Sequence, residues 1–209
     1  MIELRRVKPT YMSESDIKGS DIFLRDKLVF ERGKKYFILA NSGKGKTSVL
    51  NFIYGCNLNF EGNIVYDGKP YHNDLTAIRQ QKISYVFQDF LLFPEISLYE
   101  NLILKNRLTN FKTEAEIQEM IDLVNMHHKR NAILNTLSLG QKQRVAILRA
   151  LCQPFEFLLM DEPFSHLDEE NIAILSKLIQ YETQKQGAGM ILTSLGSEYL
   201  FNYDQILNV

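Results

Sequence analysis

Apolar runs bounded by charged residues punctuate the first forty positions: Ile2 to Val7, Asp21 to Glu31 and Lys34 to Ala40. Each reads as a β-strand, and the last, KKYFILA, as a strand buried on both faces. Residues 48–54 (SVLNFIY) then continue as a helix, which Gly55 is placed to end. NIVYDGKPY reads as a strand and turn, with Asp67-Gly68 as the turn, and KISYVFQ as a further strand. From residue 89 to 144 the pattern turns helical. Thr113 and Glu116 form a capping box, and Ile117, Met120, Ile121 and Val124 recur at helical spacing, with Lys129 and Arg130 expected at that helix's end. Beyond 145 the two periods alternate: a helix (VAILRALC), a strand (FEFLLM), a helix (EENIAILSKLIQYETQ), a strand (GMILTS) and a final strand (DQILNV). Strands alternating with helices predict a parallel α/β sheet, and the helical stretch reads as an insertion between its halves.

The 209 residues suit one elaborated domain, and 45% hydrophobic content supplies a core. The net charge is −1, with 24 basic against 25 acidic residues, so the basic excess of a nucleic-acid binder is absent. Two cysteines, Cys56 and Cys152, make no disulfide framework and fit a reducing compartment, both read as packing residues. His72, His127, His128 and His166 lack metal-site spacing. The opening MIELRRVKPT has no signal-peptide apolar stretch, and no apolar run approaches the ~20 residues of a membrane span.

The chemistry is concentrated at two strand ends. Residues 40 to 47, ANSGKGKT, lie between a buried strand and a helix, the context that a phosphate-binding loop requires. In the nucleotide-binding loop Asn41, Ser42, Gly43, Lys44 and Gly45, the two glycines Gly43 and Gly45 would let backbone amides point inward around the phosphates, and the helix starting near Lys46 adds free N–H groups and a positive dipole end. Lys46 would reach the β- and γ-phosphates, Thr47 would bind Mg²⁺, and Ser48 follows it. Ala40 replaces the pattern's first glycine, a small residue for a small one. The second strand end is FLLMDE, followed by Pro163. There Asp161 would hold Mg²⁺ and Glu162 would orient and deprotonate an attacking water.

Residues 137 to 144, LSLGQKQR, resemble the signature of the ATP-binding cassette (ABC) family, usually LSGGQ followed by a basic Gln/Arg segment. Ser138, Gly140 and Gln141 at a helix N-terminus would form a second anion site. The resemblance implies a head-to-tail dimer in which each signature closes over the other copy's ATP. Leu139 replaces the middle glycine. Further motifs match in order: Gln88 as the glutamine loop that senses Mg²⁺ and the γ-phosphate, Ser165 to Asp168 (SHLD) as the D-loop, and Tyr11 as the aromatic that stacks on adenine. The resemblance spans the whole chain. It implies a P-loop NTPase (RecA-like) α/β core with an N-terminal antiparallel β portion and an inserted helical subdomain. One ATPase domain then covers 1–209, with core and β portion at 1–88 and 145–209 and the helical subdomain at 89–144.

One position departs from the family: Ser194 follows Thr193 where a histidine normally contacts the γ-phosphate. Two outcomes follow. Hydrolysis through Glu162 is slow but real, or the cassette binds ATP and barely turns it over. The first is preferred because Lys46, Gln88, Asp161 and Glu162 are all present; a rescue by His166 is a further option. The segment DFLLFPEISLYENL resembles the lipoprotein-release and macrolide-export branch, where a groove receives a permease's coupling helix. The expected protein is therefore a cytoplasmic ATPase subunit, peripheral on the inner membrane face and paired with a permease and a second cassette, with no nucleic-acid partner. A regulatory cassette acting on a membrane protein is the alternative. A DNA-maintenance or translation cassette is disfavoured by the lack of a coiled-coil insertion or second cassette, and a GTPase by the absence of an NKxD motif. No C-terminal regulatory domain is expected beyond Val209.

Overall fold

The computed structural model describes residues 1–39, 45–70, 74–194, 199 and 201–209. Its scaffold is a five-stranded parallel sheet in the order β6-β7-β8-β3-β9. These strands are Ile83–Val86 (β6), Phe157–Asp161 (β7), Gly189–Ser194 (β8), Lys35–Leu39 (β3) and Gln205–Asn208 (β9). A second, four-stranded antiparallel sheet has the order β2-β1-β4-β5. It comprises Ile2–Pro9 (β1), Lys27–Phe30 (β2), Phe60–Tyr66 (β4) and Lys69–Pro70 (β5).

The near-continuous apolar runs of β7 and β8 follow from burial on both faces, since every residue of each strand is buried. Strand period two then sorts neighbours to opposite sides. Phe157, Leu159, Ile191, Tyr36 and Ile38 enter a core shared with the antiparallel sheet and helix α1 (Lys46–Tyr54). Leu158, Met160, Met190, Leu192 and Phe37 enter the other core. That second core is completed by α3 (Leu98–Asn106), α4 (Glu114–Leu123), α5 (Leu139–Ala150) and α6 (Glu169–Gln186). A short helix, α2 (Leu75–Gln81), precedes β6.

The capping boxes are formed: Thr113 with Glu116 on α4, and Ser97 with Glu100 on α3. Several expectations need correction. Of the stretch Asp21 to Glu31, only Lys27–Phe30 is a strand. Upstream, Ser20 Oγ accepts the N–H groups of Ile22 and Phe23, which turns the chain away from extended pairing. Helix α4 stops at Leu123 because Asn125 takes a left-handed conformation (φ 56°). Arg130 therefore lies outside it, stacked on Tyr99 and paired with Glu114. Cys152 lies just beyond α5, not within it; it is fully buried, and burial pushes its thiol up to about 12. Cys56, expected as a packing residue, is exposed.

Candidate nucleotide site

Three adjacent parallel strands deliver the candidate residues to one edge of the sheet. Leu39, the last residue of β3, is in register with Ser194 at the end of β8, and Asp161 at the end of β7 with Thr193. Carboxyl ends of parallel strands are where open α/β sheets bind ligands.

Asn41, Ser42, Gly43 and Lys44, with Ala40, lie outside the described residues, as does His72. Gly45 is described. It holds φ 96° at the N-cap of α1, and a Cβ there would stand 3.0 Å from Met12 Cε and 3.1 Å from Phe23 Cε2. Both the backbone and the close side chains require glycine. From this cap α1 starts at Lys46, whose buried ammonium lies 3.5 Å from Glu162 Oε1. Thr47 and Ser48 are half-buried on the first turn. The Tyr11 hydroxyl donates to Ser48 Oγ at 2.6 Å, so the exposed Tyr11 ring stands beside that turn.

Asp161 is 1% exposed. Thr193 Oγ1 donates to its Oδ1 at 2.5 Å, while its Oδ2 is buried with no hydrogen-bond partner among the described residues. A buried carboxylate oxygen in that state suits a cation, so the donor set fits the Mg²⁺ expected for the loop. Glu162 sits in a left-handed conformation (φ 48°), an uncommon geometry for a non-glycine residue and a sign of a position fixed by its surroundings. Its N–H donates to Thr193 O at 3.1 Å. Ser194 is buried, and its hydroxyl donates to the Tyr199 hydroxyl at 3.4 Å. Burial first, and then the Glu162 charge, push the Tyr199 phenol up from its ordinary value, with the Ser194 contact opposing.

Gln88 is exposed just beyond β6 and lines a cavity of about 410 Å³ with Phe90, Leu139, Lys142 and His166. The signature lines a separate cavity of about 500 Å³, where Ser138, Gly140 and Gln141 face His166, Asp168 and Asn171. Ser138 caps α5: its Oγ accepts the Gln141 N–H at 3.3 Å, and Gln141 Oε1 accepts the Ser138 N–H at 3.0 Å. Gly140 packs against the D-loop so closely that a Cβ there would stand 2.7 Å from His166 O.

Sequence reasoning missed Gln143. Buried at 1% exposure, it donates from Nε2 to Glu162 O (3.0 Å) and Ser165 Oγ (3.3 Å), and its Oε1 accepts the His166 N–H (2.9 Å). It stitches the signature helix to the segment after β7. The only signal was a second glutamine in QKQR, and nothing in the sequence separates it from Gln141. Tyr199 also carried no signal.

A five-stranded parallel sheet with α1 and an antiparallel sheet on one side and helices on the other defines a P-loop nucleotide-binding α/β protein. The chain matches the ABC transporter family over residues 25–165. It is 33% identical over 183 residues to the uncharacterized ABC transporter ATP-binding protein YclH of Bacillus subtilis (strain 168), covering 85% of this chain and 80% of that one. A dimeric post-hydrolysis state of the ATP-binding cassette MJ0796, bound to ADP and Pi, superposes with TM-score 0.76 at 28% identity, covering 93% of this chain and 88% of that one. A dimer of MJ0796, described as a bacterial ABC transporter cassette, gives TM-score 0.79 at 28% identity over 94% and 88% of the two chains. This chain belongs to the ABC transporter ATP-binding family. No helix among the described residues is long and apolar enough to cross a membrane.

Proposed function

We propose that this chain is the ATP-hydrolysing subunit of an ABC transporter, working as a head-to-tail pair of cassettes beneath a membrane permease. The observation that carries this reading is the buried Lys46–Glu162 approach beside Asp161, at the shared end of β7 and β8. In this reading Asn41 to Gly45 and the α1 N-terminus hold the phosphates of ATP, and Lys46 sits on the β- and γ-phosphates. Tyr11 stacks on the adenine. Glu162 orients the attacking water and takes its proton, and Ser194 contributes a hydroxyl where the family carries an imidazole. Thr47, Gln88 and Asp161 are the residues that would hold Mg²⁺, which when bound offsets the negative charge of the β- and γ-phosphates. Ser138, Gly140 and Gln141 of the second copy close over the nucleotide. The helical subdomain, residues 89–144, then passes the motion to the permease. Leu91 and Phe93, exposed after Gln88, suit that contact and the lipoprotein-release and macrolide-export type of transporter.

A second reading, an ATP-binding switch with little turnover, rests on the buried Ser194, whose hydroxyl is engaged by Tyr199. ATP turnover by the purified protein and its Glu162→Gln variant, with dimer formation followed in ATP, separates the two. Turnover that vanishes in the variant, together with an ATP-held dimer, supports the motor. ATP binding without turnover in either supports the switch.

A further inference from the structure

His166 belongs to the D-loop by resemblance, and the geometry around it fixes its backbone against the signature helix while leaving its side chain exposed. Its backbone is fixed from two sides, since its N–H donates to Gln143 Oε1 at 2.9 Å and its carbonyl oxygen packs against Gly140. His166 is therefore held against the signature helix, and its exposed side chain lines the cavity of Ser138, Gly140 and Gln141 as well as that of Gln88. The ring is also oriented. Ser165 Oγ accepts from Gln143 Nε2 at 3.3 Å and lies 2.9 Å from His166 Nδ1. A serine hydroxyl that accepts from Gln143 still has its own proton to give, and Nδ1 lies within reach of it. In the tautomer in which Nδ1 accepts that proton, the ring carries its N–H on Nε2. In the chain's own site, position 194 offers only a buried serine hydroxyl turned to Tyr199.

We propose that His166 of one copy donates a hydrogen bond from Nε2 to the γ-phosphate of the ATP held by the other copy, supplying across the dimer the imidazole that position 194 lacks. This rests on the proposed head-to-tail dimer, because whatever the signature faces, His166 faces as well. No proton is transferred in the step; the donor meets the charge that builds on the phosphoryl oxygens during hydrolysis.

The test compares steady-state ATP turnover of wild type, His166→Ala, His166→Gln and Lys46→Ala. His166→Ala is expected to lower turnover by about ten- to a hundredfold, as loss of one hydrogen bond to a charged group would. ATP binding should stay unchanged, and the amide of His166→Gln should recover part of the rate. The decisive measurement mixes equal amounts of His166→Ala and Lys46→Ala chains. A mixed dimer carries one site with both Lys46 and a facing His166. Turnover should then rise above the mean of the two variants, towards about a quarter of wild type if half the dimers are mixed and their sites act independently. A mixture that gains nothing overturns action across the dimer, and wild-type turnover in His166→Ala overturns any role in hydrolysis. In both cases the proposed function stands as long as wild type hydrolyses ATP. Wild type without turnover would sink that reading, and this inference with it.

Discussion

The Lys46 ammonium stands 3.5 Å from Glu162 Oε1, with both side chains buried. The pair joins the first turn of α1 to the residue after β7, the two elements that frame the site. Charge is tolerated at that depth when it is compensated, and deleting one partner of a buried pair costs more than deleting both. In the nucleotide-free protein, Lys46→Met and Glu162→Gln should each destabilise, with Lys46→Met costing on the order of 3 kcal/mol. The double variant should cost clearly less than the sum. Urea denaturation of the four proteins yields the coupling energy directly, and a value of zero would mean the contact does not hold the site together.

Gly140 allows a close approach, not an unusual backbone angle. A methyl group there meets the His166 carbonyl at 2.7 Å, and backbone yields poorly. Gly140→Ala should therefore cost about 1–3 kcal/mol. In a chain of this size that lowers the melting temperature by roughly 2–4 °C per kcal/mol. Leu139→Ala is the control, since Leu139 is exposed and its truncation should stay within about 0.5 kcal/mol. Equal melting temperatures for both variants would show that the D-loop gives way freely.

The centre of the parallel sheet was legible because β7 and β8 are buried along their whole length and so spell near-continuous apolar runs, as FLLM and GMIL do. Glu162 and Lys46 were legible because each follows such a run at a fixed offset. The antiparallel segment from Asp21 was not, because Ser20 bends it through local side-chain bonds that an apolar pattern does not encode. The end of α4 was missed for a similar reason, since one left-handed asparagine outweighs a helical period that runs on to Val124. Gln143 escaped because its partners, Glu162 and His166, lie about twenty residues away in the chain. Position-by-position chemistry cannot reveal a bond that only the fold creates.

Lys105 supplies a pH dependence remote from the nucleotide site. Burial first, and then the nearby Arg149 charge, push its ammonium down to about 8, with Cys152 opposing weakly. The ordinary lysine value is 10.5, so between about pH 8 and 10.5 the unfolded chain binds the proton that the folded chain has released. Stability from this group therefore rises with pH across that window and is lowest below it. Lys105→Met should be more stable than wild type at pH 7.5, and the gap should narrow towards pH 10. Melting curves of both proteins at matched ionic strength check the sign; a constant gap would show that Lys105 keeps its proton in the folded state.

Asp161 makes the cation requirement testable without any assay of turnover. Its Oδ1 is satisfied by Thr193 Oγ1, but its Oδ2 is buried with no hydrogen-bond partner among the described residues. A carboxylate half-satisfied at 1% exposure destabilises the nucleotide-free fold and is stabilised by any cation that reaches it. Asp161→Asn removes the charge and keeps an acceptor for Thr193. The variant should thus be at least as stable as wild type without ligand. With ATP present, replacing EDTA by Mg²⁺ should raise the wild-type melting temperature by several degrees through linkage to the folded state. In Asp161→Asn most of that increment should disappear while the increment from ATP alone persists. Thr193→Val offers the opposite control: it strips the donor from Oδ1, leaves both carboxylate oxygens unpaired, and should lower ligand-free stability by about 1–3 kcal/mol. An equal Mg²⁺ increment in wild type and Asp161→Asn would move the cation off Asp161 and leave its orphaned oxygen a structural cost with no ligand to offset it.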